Sequence, residues 1–141
     1  MMSSHAANSA SVLRSAVRLN IGLLVMLAAM PLLAPGSFLR GFGIADTSYA
    51  VMGLVRVYIA FALVLAIVLW GARDWLQSAA GRATVRSLTV GYAVAALFLL
   101  GQQWTVWYGR SGLALMFGCA VLALKYARAL RVEPAILAPT A

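Results

Sequence analysis

From Ser87 to Tyr108 the chain runs for twenty-two residues without a charged side chain. A helix of that length spans about 33 Å at about 1.5 Å rise per residue, enough to cross a hydrocarbon core of about 30 Å. A run this long cannot be hidden inside a fold of 141 residues that is already 64% hydrophobic and only 10% charged. Small soluble domains leave a large share of their surface in water, and about a quarter of their residues are charged. A mean hydropathy of +0.94 therefore points to lipid as the solvent. Backbone groups in lipid must be satisfied within helices or a closed barrel. The apolar runs here are continuous rather than alternating, so helices are expected.

Three more segments follow the same logic, and together they predict an all-α, integral membrane four-helix bundle. The spans are expected at about 15–34, 49–71, 87–108 and 111–130. They form one transmembrane domain over 14–131, between a flexible N-terminal tail (1–13) and a C-terminal tail (132–141). In the uncharged part of the first span, from Leu19 on, Asn20 is the only strongly polar side chain before Pro35-Gly36, and Pro31 is expected to kink its far end. Pro35-Gly36 mark a turn. The mixed stretch Phe38–Ile44 suits a short segment at the headgroups. Asp46, Thr47 and Ser48 are all candidate N-caps for the second span. Residues 77–86 read as a loop carrying Arg82 and Arg86. The fourth span has only fourteen uncharged residues before Lys125, so Lys125 and Arg128 must reach for the interface.

The basic N-terminus also has the outline of a signal peptide, with a poor cleavage site at Ala34-Pro35-Gly36. Its acid-free, Ser/Ala/Arg-rich start fits a mitochondrial presequence as well. The reading preferred here is a retained first span in the bacterial inner membrane.

Charge sets the orientation. Eight basic residues (Arg14, Arg18, Arg73, Arg82, Arg86, Lys125, Arg128 and Arg131) flank one side of the spans, and three (Arg40, Arg56 and Arg110) lie toward the other. The positive-inside rule then places both termini in the cytoplasm. Trp70, Trp75 and Tyr126 are expected to anchor that interface, and Trp104, Trp107, Tyr108, Phe42 and Tyr49 the opposite one. A net charge of +8 would suggest nucleic acid in a soluble chain. These charges instead sit at the ends of apolar runs, the pattern of topology signals and lipid-phosphate contacts. The expected partner is the bilayer, with a second copy or other membrane proteins as further candidates, and no nucleic acid.

Groups able to do chemistry are scarce. His5 is the one histidine, and Cys119 stands alone in an apolar run, so neither a bis-His haem nor a disulfide forms within one chain. There is no metal-ligand motif, no phosphate-binding glycine loop and no carboxylate inside a span. No metal or other cofactor is implied, and the reading leans away from an enzyme. The candidate polar site is Arg56, about 10 Å into the second span. Asp46 is its prospective partner, and Gln102-Gln103 a second polar pair among the tryptophans. The bland alternatives are a snorkelling arginine and amides that bond between helices. Small residues spaced by four (Ser87, Gly91, Ala95; Ala62, Ala66; Ala114, Gly118) allow close helix packing.

The run Phe38-Leu39-Arg40-Gly41-Phe42-Gly43-Ile44, followed by Gly53-Leu54-Val55-Arg56-Val57-Tyr58-Ile59-Ala60, resembles small bacterial four-helix membrane proteins of the DoxX-like and DUF4345 kind. The resemblance implies a fold more than an activity. The expected function is a non-catalytic accessory or scaffolding component of a membrane assembly. The alternative is a carrier of a small solute, lipid or quinone, or a redox accessory protein.

Overall fold

A computed structural model describes residues 2–45, 48–105 and 110–131, with side chains at 10–45, 48–102 and 111–131. The described residues form α1 (Met2–Leu33), α2 (Pro35–Gly41), α3 (Tyr49–Ala72), α4 (Arg82–Thr105) and α5 (Arg110–Arg131), with a 3-10 turn at Trp75–Gln77. Four of these helices are long and apolar enough to cross a membrane: Ala10–Leu33, Tyr49–Ala72, Arg82–Gln102 and Ser111–Arg131. The all-α bundle of four spans is thus what the chain forms.

Several boundaries differ from the sequence reading. The stretch expected as an N-terminal tail continues α1 back to Met2. It is rich in Ala, the best helix former, and holds no Gly or Pro. α4 starts at Arg82, inside the expected loop, so Arg82 and Arg86 lie on its first turns. Pro35 opens a seven-residue helix rather than a turn. Proline needs no N–H partner at the first helical position and drives the preceding residue, Ala34, out of helical geometry. The end of the third expected span, 106–108, lies outside the described residues.

α2 ends in a Schellman motif. Gly43 N–H donates to Arg40 C=O (2.9 Å) and Ile44 N–H to Leu39 C=O (2.9 Å). Gly43 has φ 77°, a left-handed conformation that costs other L-residues about 1–2 kcal/mol. The motif turns the chain toward α3, whose N-cap is Ser48: its Oγ accepts from Val51 N–H at 3.4 Å. Asp46 and Thr47, the other candidate caps, lie outside the described residues.

The long helices pack as two antiparallel pairs, α1 with α3 and α4 with α5, joined where α1 lies along α5. The buried core gathers at one end, around Leu13, Ala16, Val17, Leu69, Leu76, Val85, Leu122, Tyr126 and Ala129. Arg14, Arg18, Arg73, Arg82, Arg86, Arg128 and Arg131 belong to the same end, hereafter the basic end. Two contacts tie it together: Lys125 Nζ donates to Ser15 Oγ (3.0 Å), and Arg14 Nε donates to Gln77 Oε1 (3.3 Å). Lys125 thus fastens α5 to α1. Of the small-residue stripes, Ala62 and Ala66 are buried on α3, whereas Ser87 and Gly91 face outward.

Candidate functional site

One strongly polar side chain is wholly buried among the described residues, and it organises the site. Asn20, in α1, has no exposed surface. A polar group without water must find partners within the protein. Asn20 finds them on two other helices. Tyr92 Oη, from α4, donates to Asn20 Oδ1 at 2.6 Å, and Asn20 Nδ2 donates to Tyr126 Oη, from α5, at 3.0 Å. The two tyrosine rings stack at 6.1 Å between centroids, 11° from parallel. One amide therefore links three of the four spans.

The hydrogen-bond inventory of this triad is incomplete. Asn20 has a second amide proton, and the Tyr126 hydroxyl that accepts from Asn20 keeps its own proton. Neither has an acceptor among the described residues. Two donors thus remain at a buried point just inside the basic end.

From Asn20 a cavity of about 490 Å³ extends between α1 and α5 toward the opposite end. Its walls are Leu23, Leu27, Met30 and Leu33 on α1, and Leu122, Cys119, Gly118, Leu115 and Ala114 on α5. Ser37 and Phe38 of α2, its C-cap Phe42 and Ser111 close the far end. Phe38 packs against Phe42 (4.9 Å between ring centroids) and Tyr58 of α3 (6.2 Å), which fixes α2 over the cavity. Among the described residues no charged side chain lines it. The space follows from sequence: Ala114 and Gly118 put little bulk on the α5 wall where α1 presents leucines and methionines. Thirteen residues of α1 separate Asn20 from Leu33, about 20 Å along the helix. A volume of about 490 Å³ over that length has room for an extended hydrocarbon chain.

Neither of the sequence-predicted candidates with a described side chain lies at this cavity. Arg56 is exposed on α3, and Gln102 is half-buried near the end of α4; neither lines the cavity. Gln103 and Trp104 belong to α4, but their side chains lie outside the described residues, as do Asp46 and Trp107 altogether. Trp70 and Trp75 are exposed at the basic end. Tyr126, expected beside them as an interface anchor, is instead fully buried. Its hydroxyl is needed by Asn20, so the ring turns inward.

Sequence reasoning missed Tyr92 and Tyr126 as site residues. The available signal was Asn20 itself: an amide in an apolar span needs partners, and α4 and α5 each carry a tyrosine near the basic end. Among the described residues no three His, Cys, Asp or Glu side chains come together.

Comparison with protein-family models, with characterised proteins and with solved structures finds no match to this chain.

Proposed function

We propose that this protein is a non-catalytic accessory protein of the bacterial inner membrane that holds one neutral, single-chain amphiphile, acyl or isoprenoid, between α1 and α5. The supporting observation is the apolar cavity that ends on the hydrogen-bonded pair Asn20 and Tyr92. An apolar pocket with a few convergent polar groups is the usual form of a ligand site, and this one falls within the common range of about 300–1,000 Å³. The polar group of such a molecule would lie at the end of the cavity lined by Asn20 and Tyr92. The chain would lie along the leucine and methionine wall toward α2. A carboxylate would find no countercharge there among the described residues.

The resemblance to DoxX-like and DUF4345 proteins belongs to the same proposal, as does an orientation with the basic end in the cytoplasm. The accessory role rests on the scarcity of chemistry-bearing side chains. Broad apolar surfaces on α3 and α4, including Leu54, Phe61, Ile67, Leu97 and Phe98, face lipid or a protein partner.

Cys119 provides the test, because it is the chain's single cysteine and lines the cavity. Labelling by an apolar maleimide in detergent is expected to slow at least fivefold when a monoacylglycerol or a short-chain isoprenoid quinone is added. Unprotected labelling at saturating levels of both classes would overturn the assignment.

A further inference from the structure

We infer that a second cleft, at the basic end and separate from the α1/α5 cavity, binds a phosphate group. The cleft is about 570 Å³ and lies between α1 and the end of α3. Arg14, Arg18 and Arg73 line it, with Trp70 beside them and Val17 and Ile21 among its walls. Three guanidiniums face one carboxylate, Asp74, so the cleft carries an excess of positive charge.

Two of the arginines are already held in place. Arg14 Nε donates to Gln77 Oε1 at 3.3 Å, and Gln77 Nε2 in turn donates to the Arg73 carbonyl at 3.2 Å. The Arg73 guanidinium lies 4.8 Å from the Trp70 ring centroid, and its Nε is 3.7 Å from Asp74 Oδ2. In each pair the Nε is engaged, which leaves the terminal nitrogens for a ligand. Arg18 adds an exposed guanidinium with no ion pair among the described residues. Arginine forks match the spacing of phosphate oxygens and bond them in pairs. Asp74 works against an anion, but its side chain is 84% exposed and already spent on Arg73. The apolar residues beside the arginines suit a phosphate that carries acyl chains, and Trp70 is the residue type favoured at headgroup depth. The shared chemistry is a phosphate oxyanion, whether from an anionic lipid headgroup or from free phosphate.

Native mass spectrometry of the full chain in mild detergent tests this with phosphatidylglycerol, phosphatidylcholine and inorganic phosphate as probes. Phosphatidylglycerol is expected to bind at least fivefold tighter than phosphatidylcholine. Arg18→Gln and Arg73→Gln should each weaken it about fivefold or more. Arg128→Gln, exposed at the same end but outside the cleft, should change it less than twofold. Inorganic phosphate displacing the lipid at equal occupancy would support the site and identify a free anion as its ligand. Failure of phosphate to compete, with phosphatidylglycerol still selected, would support a lipid headgroup. An equal loss in all three variants, or no preference among the probes, would overturn the inference. Unfolding temperatures without added lipid should match for all variants, which separates lost binding from lost fold.

Discussion

Gly81→Ala is expected to destabilise the protein by about 3 kcal/mol, at the upper end of the usual cost of overpacking. Gly81 is buried, where the 3-10 turn meets the start of α4. A Cβ there would run into the Trp75 carbonyl oxygen and stand 2.7 Å from Leu76 Cα. Both obstacles are backbone, so no rotamer change relieves the collision. The surrounding turn has little freedom to move. Ser78 Oγ donates to the Trp75 carbonyl at 2.6 Å and accepts from Gly81 N–H at 3.2 Å. Leu76, only 1% exposed, anchors the turn in the core beside Leu13 and Val85. Relief would have to lift Leu76 out of that core. Gly91→Ala is the matched control, since a Cβ at Gly91 meets nothing within 4 Å. It should be neutral or slightly stabilising, because alanine favours helix over glycine by up to about 1 kcal/mol. Thermal unfolding in detergent, followed by circular dichroism, checks both. Equal unfolding temperatures for the two variants would contradict the packing described for this turn.

Asn20→Leu is the second large effect, with an expected loss of about 2 kcal/mol. Hydrogen bonds between membrane helices are worth about 0.6 kcal/mol on average and up to about 1.7 kcal/mol. Asn20 makes two of them, to Tyr92 and Tyr126. Leucine removes both and leaves two tyrosine hydroxyls without their partner. Tyr92→Phe and Tyr126→Phe should each cost about half as much. In the Asn20→Leu background either change should cost almost nothing, because the bond it removes is already absent. Additive losses in this double-mutant comparison would show that the three side chains do not act as a unit. Unlike Gly81→Ala, Asn20→Leu is also expected to remove ligand retention, since it takes away the amide at the head of the cavity.

The residues show how far the sequence could be read. Ser87–Tyr108 announced a span because absence of charge over that length has a single physical use. The same apolarity concealed the helix pairings. A helix that is apolar on every side has no polar face to mark which side meets its neighbours. Periodicity therefore could not turn Tyr126 inward or aim Tyr92 at Asn20. The early start of α4 was hidden by Arg82 and Arg86, which read as loop charges but lie on the first turns of the helix. Arg56 drew attention as an ionisable residue within a span, yet it sits exposed on α3, away from the cavity. Asn20 stands out in the sequence as an amide in an apolar span, but nothing in the sequence alone marks it as a site. Its importance lies in where it sits, with Tyr92 at the end of an apolar cavity, and that depends on how α1, α4 and α5 converge.

The most direct measurement is the mass of what the protein carries. Native mass spectrometry of the intact chain, purified in mild detergent, is expected to show one tightly held neutral amphiphile per protein, identified after extraction. Ala114→Phe, which places a ring in the cavity, and Asn20→Leu, which removes its polar end, should each reduce that occupancy at least fivefold. Their helical content should stay unchanged. A wild-type protein that carries no such molecule, or variants that retain it at wild-type occupancy, would contradict the account.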